Sequence, residues 1–156
     1  MKVIVQGRNV DSLKPMIEKA TRFYAKQLFS TRMANTLTIV VKLRKTTVPK
    51  KWNGFHTTSA NGSKASKKHN ITIKTGRSNA SILSTLAHEM VHVQQTATNK
   101  LQVRRWKSDK QYHIRWNGKE MGIVDSIPYR RRPWEVEAFN KQNELADRFM
   151  LSYCNP

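Results

Sequence analysis

The stretch 78–100 of this chain contains neither glycine nor proline and holds the pentad His-Glu-Met-Val-His at positions 88–92. Ser78 or Asn79 can serve as the N-cap residue, and apolar residues follow at spacings of three and four, so the stretch predicts an amphipathic helix. Positions i and i+4 of a helix lie one above the other, which brings His88 and His92 onto one face. Any fold of this chain must therefore bury one side of this helix and open the histidine side to a cleft.

The pentad has the residue types that a zinc-dependent hydrolase needs at this spacing. Imidazole nitrogens bind Zn²⁺, and the metal makes a coordinated water more acidic. Glu89 lies to one side of the histidine axis, where its carboxylate can take a proton from that water and return it to a leaving amine. The sequence therefore predicts His88 and His92 as metal ligands and Glu89 as a catalytic base. The competing interpretation is a polar helix face that happens to carry two histidines.

A catalytic zinc site usually has three protein ligands, so the pentad needs one more. The metzincin extension would require Gly and His where this chain has Gln95 and Thr98, which excludes that class. The acidic cluster Pro-Trp-Glu-Val-Glu-Ala at 133–138 begins another predicted helix and offers Glu135 or Glu137. Acidic residues in a first helical turn are also favoured by the helix dipole alone.

Histidines outside the pentad are the other ligand candidates. His113 follows the predicted zinc helix and stays an alternative third ligand. His56 and His69 lie in lysine-rich, loop-like sequence and are expected at the surface. Acidic residues are scarce in this chain, because none occurs from Lys19 through His88 and Glu89 is the first to follow.

The pentad and the 133–138 cluster together resemble the minigluzincins and related small SprT-like or phage-encoded metallopeptidases, over roughly residues 70–150. In gluzincins the third ligand is a Glu on a second helix, with a small residue one turn later. The resemblance therefore implies Glu135, since Ala138 stands in that place, with Glu137 as the runner-up. SprT-like proteins in the narrow sense use a third His, and only His113 could follow that pattern here.

The same resemblance implies a zincin-like fold and an oxyanion-stabilising side chain downstream of the zinc helix. Tyr129 is the leading candidate for that catalytic role, and Tyr112 and His113 are the others. The competing interpretation for each of them is a packing role.

Charge is the second large feature, because a formal net charge of +19 on 156 residues indicates attraction to polyanions. Between Arg44 and Arg77, lysines interleave with aromatic residues, a composition that can hold phosphates and stack a base. The predicted contacts to nucleic acid are Lys50, Lys51, Trp52, Lys64, Lys67 and Lys68. A solvated basic loop is the competing interpretation. The expected partners are a protein or peptide substrate and, as a candidate, nucleic acid.

Length and composition predict a single domain spanning 1–156. No apolar stretch is long enough to cross a membrane, and the N-terminus lacks the features of a signal peptide. Cys154 is the lone cysteine, so no internal disulfide can form and a reducing, cytoplasmic setting is expected. For a phage-encoded protein, that setting would be the host cytoplasm or the virion.

The periodicities predict an α+β fold, in which a small, mostly antiparallel sheet packs against an N-terminal helix, the zinc helix and a C-terminal glutamate helix. Helices are predicted over 12–29, 78–100 and 133–151, and strands over 3–6, 36–43, 70–74, 112–116 and 119–124. Asn117-Gly118 is a strong hairpin signal between the last two strands.

Two hypotheses follow. The leading one is a zinc-dependent metalloendopeptidase in which His88, His92 and Glu135 bind the metal and Glu89 activates the zinc-bound water. The alternative is a basic nucleic-acid-binding or virion-associated protein whose zinc site is structural or vestigial.

Overall fold

The computed structural model describes residues 1–46, 52–58, 66–105 and 111–154. The described elements are, in chain order, β1 (Lys2–Gln6), α1 (Lys14–Leu28), α2 (Thr31–Thr36), β2 (Thr38–Arg44), β3 (Gly54–Thr58), β4 (Lys68–Lys74), α3 (Asn79–Ala97), β5 (Leu101–Arg105), β6 (Tyr112–Trp116), β7 (Lys119–Ile123) and α4 (Pro133–Cys154). Short 3-10 turns cover Val124–Ser126 and Tyr129–Arg131. The predicted α+β class is confirmed.

The main sheet has the strand order β1-β2-β4-β3 and is mixed. The β1/β2 and β2/β4 pairs are parallel, and β3 pairs antiparallel with β4 at the edge. The predicted single, mostly antiparallel sheet is therefore wrong for this part of the fold. The reason is the connection through α1 and α2, which returns the chain to the starting end of β1 before β2 begins.

The second sheet is antiparallel, with the order β5-β6-β7. The predicted hairpin is confirmed, because Asn117 and Gly118 connect β6 to β7 with φ values of 48° and 80°. Positive φ at both positions is the conformation that a two-residue hairpin turn of type I′ requires.

Side chains alternate across the main sheet, and one of its faces forms the core with α1 and α3. The buried residues of that face include Ile39, Val41, Leu43, Ile71 and Ile73, and they pack against helix residues that include Ile17, Tyr24, Leu83, Leu86 and Met90. α4 packs beside α3 through Ala138, Leu145, Ala146 and Phe149. Val136 and Phe139, two other apolar residues of α4, do not face this core and are 41% and 43% exposed.

α3 begins where the sequence predicts, because the Ser78 hydroxyl accepts a hydrogen bond from the Ser81 backbone nitrogen at 3.3 Å. α4 begins at Pro133, whose fixed φ suits a first helical position, and this places Glu135 in the first turn. α3 and α4 are thus the two elements that position the acidic and histidine side chains considered below. None of the helices in the described ranges is long and apolar enough to cross a membrane.

Candidate metal centre

Three buried side chains from α3 and α4 converge on one point. His88 Nε2 lies 3.2 Å from His92 Nε2 and 3.2 Å from Glu135 Oε2, and His92 Nε2 lies 3.4 Å from the same carboxylate oxygen. Among the described residues, this group alone brings three or more His, Cys, Asp or Glu side chains close enough to hold one metal ion. The structure thus brings the three predicted ligands together.

Hydrogen bonds to two glutamines determine which nitrogen of each imidazole faces this point. His88 Nδ1 donates to Gln142 Oε1 at 2.8 Å, and His92 Nδ1 donates to Gln95 Oε1 at 2.8 Å. An amide oxygen can only accept a hydrogen bond, so the proton of each neutral ring lies on Nδ1. Each Nε2 therefore directs a lone pair toward the centre, as a metal-binding histidine must.

The donor set and its spacing both fit a cation. Two imidazole lone pairs and a carboxylate oxygen are all acceptors, so their close approach needs a positive charge between them. Zinc binds nitrogen and oxygen ligands at about 2.0–2.2 Å in tetrahedral geometry, which separates the ligand atoms by roughly 3.3–3.6 Å. The three ligand atoms here lie 3.2 to 3.4 Å apart, which is close to the separations expected around zinc. The three residues therefore fit Zn²⁺.

Besides Gln142, Gln95 is a residue of the candidate site that sequence reasoning missed. It is fully buried, and besides holding His92 it donates from Nε2 to the Trp134 carbonyl at 2.9 Å and to Glu137 Oε2 at 3.0 Å. It therefore ties the second histidine to the first turn of α4. Its position three residues after His92 on the same helix was the available signal.

Neither rival third ligand lies in the cluster. Glu137 is engaged by Lys100 and Lys141, whose Nζ atoms each lie 2.8 Å from Oε1. Burial opposes the effect, but hydrogen bonds from these two lysines and from Gln95 lower the pKa of Glu137 to about 2. His113 lies on β6 opposite Arg104 and is not a member of the group.

The acidic and imidazole groups of the cluster change one another's pKa. Burial alone would raise the pKa of Glu135, but when the centre holds protons in place of a metal, hydrogen bonds from His88 and His92 lower it well below its usual range. Burial would lower the pKa of His92, but the hydrogen bond to Glu135 and the charge of Glu89 raise it to about 8. The centre therefore attracts positive charge, and protons compete with a metal for His92.

Glu89 lies beside the cluster without belonging to it. Only 5% of Glu89 is exposed, and among the described residues it has neither a hydrogen bond nor an ion pair. Burial raises its pKa, partly offset by His92 and His88. Across the cleft, a Cβ added to Gly54 of β3 would lie 3.2 Å from Glu89 Oε1, so the edge strand runs directly past this carboxylate.

Tyr129 lies next to the cluster, at the start of the 3-10 turn that precedes α4. Burial raises the pKa of its hydroxyl, and the hydrogen bond that this hydroxyl donates to Glu135 raises the pKa further. Its ring meets Phe139 edge-on at 6.2 Å, and Phe139 in turn contacts the His88 ring at 4.8 Å. Phe139 therefore lines the centre, which explains why it does not face the core. Tyr112, the alternative on β6, is 50% exposed.

His56 and His69 were expected at the surface, and the structure corrects this for both. His69 is fully buried and His56 half-buried, with His56 Nε2 2.9 Å from His69 Nδ1. His69 Nε2 lies 2.9 Å from the Ser66 carbonyl, which can only accept, so His69 Nε2 carries the proton. Burial lowers the pKa of both rings, and the charges of His69 and His92 lower that of His56 further. A neutral His56 thus lies on the metal side of β3.

Three of the residues predicted to contact nucleic acid, Lys50, Lys51 and Lys64, lie outside the described residues. The other three, Trp52, Lys67 and Lys68, are exposed and flank the β3/β4 pair.

Comparison of the chain with protein-family models, curated proteins and solved structures finds no match.

The role of Gln95 leads to a first prediction. Replacement by leucine, which has a similar volume, should lower zinc affinity by about 10- to 100-fold, because His92 loses the partner that orients its ring. Competition with a chromophoric chelator measures this affinity. Gln94→Leu is the matched control, because Gln94 is its neighbour on α3 and bonds instead to the Leu28 carbonyl. Equal affinities in the two variants would remove Gln95 from the metal site.

Proposed function

We propose that this protein is a zinc-dependent metalloendopeptidase in which His88, His92 and Glu135 hold the metal and Glu89 is the general base. The observation that carries the proposal is the convergence of three acceptor atoms, 3.2 to 3.4 Å apart, with a fourth buried carboxylate beside them. Zn²⁺ bound there would polarise a peptide carbonyl and make water acidic enough to give up a proton near neutral pH.

Glu89 has the environment of a proton-transfer residue. Its raised pKa brings a carboxylate closer to the operating pH, where it can both accept a proton from water and deliver it to the leaving amine. It also has no partner in the described structure that would have to be displaced first. Tyr129, which is hydrogen-bonded to Glu135, can donate a hydrogen bond from its hydroxyl to the oxyanion that would develop during attack.

The edge strand supports a peptide as the substrate. β3 has β4 on one side and no other described strand on its second side. An extended peptide can add to such an edge through main-chain hydrogen bonds. Because Gly54 lies against Glu89, a peptide paired with β3 would pass the general base. Any larger residue at position 54 would press on the Thr85 methyl group, only 2.7 Å from an added Cβ.

The class we propose is the one that the sequence resembles, a small gluzincin with a zincin-like fold. The pentad lies on α3 and the third ligand in the first turn of α4, with a buried Ala138 one turn later, as that resemblance implies. A structural zinc site usually has four protein ligands. Among the described residues the cluster has three, which favours a catalytic site over the structural alternative.

Metal removal tests this function. The purified protein, incubated with an unfolded protein such as reduced, alkylated lactalbumin, should cleave it, and 1,10-phenanthroline should abolish the cleavage. Adding back one equivalent of Zn²⁺ per chain should restore it, while Mg²⁺ should not, because the nitrogen-rich ligand set suits zinc. A protein that binds one zinc tightly and cleaves neither unfolded proteins nor peptides would instead have the structural or vestigial site of the alternative hypothesis.

A further inference from the structure

The main sheet has a second face, turned away from α1 and α3. Alternation along the strands places on it Lys2, Ile4 and Gln6 of β1, Thr38, Val40, Lys42 and Arg44 of β2, and Lys68, Asn70, Thr72 and Lys74 of β4. The middle of this face forms an open depression of about 510 Å³, lined by residues of β1, β2 and β4. Parallel strands are usually covered on both faces, whereas the described residues that line this depression all belong to the strands themselves, so the face needs an explanation.

This face is strongly and uniformly basic. The register aligns Lys2 with Thr38 and Lys68 across three strands, and Arg44 with Lys74 across two. None of the four strands contains an Asp or a Glu. Within the described ranges, ion pairs neutralise cations on the helices and the second sheet, but none involves Lys2, Lys42, Arg44 or Lys68. The face therefore presents positive charge that a polyanion would neutralise.

Aromatic rings stand at one edge of the same face. Phe55 of β3 is paired with Thr72, so it points to the basic side of the sheet while its neighbours Gly54 and His56 point to the metal side. The Phe55 ring meets the Trp52 ring edge-on at 6.4 Å, and Trp52 is 47% exposed. An exposed ring beside cations suits single-stranded nucleic acid, because an unpaired base can stack on the ring while the phosphates contact lysine and arginine.

We propose that this surface, the basic sheet face, binds single-stranded nucleic acid, with Lys2, Lys42, Arg44 and Lys68 contacting phosphates and the Trp52–Phe55 pair stacking on a base. The proposal is independent of the peptidase reaction and uses none of its residues. It retains Trp52 and Lys68 of the sequence-based prediction and places the other phosphate contacts on β1 and β2. Lys2, Lys42 and Arg44 had no part in the sequence-based prediction.

The salt dependence of binding tests the proposal. The affinity of the whole protein for a fluorescein-labelled oligothymidylate is measured by anisotropy over a series of NaCl concentrations. The triple variant Lys2→Gln, Lys42→Gln and Lys68→Gln should bind about tenfold or more weakly at low salt. The slope of log affinity against log salt should also become shallower by about two, because each lost phosphate contact removes roughly 0.7 from it.

A matched triple variant separates the site from total charge. Lys19→Gln, Lys26→Gln and Lys119→Gln remove the same three charges from exposed positions on α1 and β7. Its slope should stay that of the parent protein, and circular dichroism should show that both triple variants are folded. Equal losses in the two variants would overturn the proposal, because binding would then follow net charge alone.

The aromatic pair provides a second readout that charge does not control. Trp52→Ala should weaken oligothymidylate binding by about tenfold with the salt slope unchanged, since stacking releases no counterions. It should leave the weaker binding of a blunt duplex unchanged. Vesicles of phosphatidylserine and phosphatidylcholine test the other anionic surface. If the basic sheet face bound these vesicles and not the oligonucleotide, a membrane surface would replace nucleic acid as the partner and the proposal would be wrong.

Discussion

Glu89→Gln is expected to lower kcat for peptide hydrolysis by on the order of 10²- to 10⁴-fold while leaving zinc content at that of the parent protein. The amide has nearly the same shape as the carboxylate but cannot accept a proton from water. Glu89 is not one of the three converging ligands, so its replacement leaves the metal site intact. Turnover of a fluorogenic peptide measures kcat, and elemental analysis of the dialysed protein measures bound zinc.

Glu144→Gln is the control for this experiment, because Glu144 is an exposed carboxylate on α4 with no contact to the cluster. It should retain full activity. The uncharged amide should not destabilise the fold, since burial already disfavours the charged form of Glu89. A zinc-loaded Glu89→Gln protein that hydrolyses peptides at the parent rate would show that Glu89 is not the base.

Glu135→Ala should have the second largest effect, a loss of zinc affinity well beyond 100-fold together with loss of hydrolysis. It removes one of the three proposed ligands, whereas losing a side chain that only hydrogen-bonds to a ligand typically costs about 10- to 100-fold. The comparison is Glu137→Ala, two residues along the same helix. Glu137 accepts hydrogen bonds from Gln95, Lys100 and Lys141 and lies outside the cluster. The zinc affinity of this variant should therefore stay within about tenfold of that of the parent protein.

Zinc titrations monitored by a competing chelator distinguish the two variants, and thermal unfolding without metal shows whether either has lost its fold. If Glu137→Ala lost zinc and Glu135→Ala kept it, the two carboxylates would exchange roles. If both kept zinc and His113→Ala lost it, the third ligand would be the histidine on β6, as in SprT-like proteins in the narrow sense.

The parts of this site that depend on local sequence could be predicted. Helix periodicity and an N-cap determine where α3 lies, and the spacing of His88 and His92 alone brings them onto one face. The third ligand was different, because two helices far apart in sequence must pack before a carboxylate can meet the pentad. There the choice of Glu135 depended on a family resemblance. The contacts of Gln142 with His88 and of Gln95 with the first turn of α4 also depend on how α3 packs against α4. Patterns in a single sequence do not predict that packing.

The strand order of the main sheet also could not be predicted from local sequence patterns. β2 and β4 pair in parallel although β3 lies between them in the chain, and no local pattern encodes such an exchange of neighbours. The surface prediction for His69 failed for another reason, since its lysine neighbours suggested exposure. Yet His69, Ile71 and Ile73 alternate along β4, and this period of two could have placed the histidine on the buried face.

The alternation of side chains along β3 has a consequence for how substrates would be selected. One short strand presents Gly54 and His56 to the metal centre and Phe55 to the basic sheet face. A peptide at the first surface and a nucleic acid at the second would lie within roughly the 10 Å thickness of a sheet layer. Proteins attached to the same strand of nucleic acid would then reach the cleft at millimolar effective concentration. Such an enzyme would need little preference for residues around the scissile bond, because sharing a polymer with it would be enough to mark a protein for cleavage.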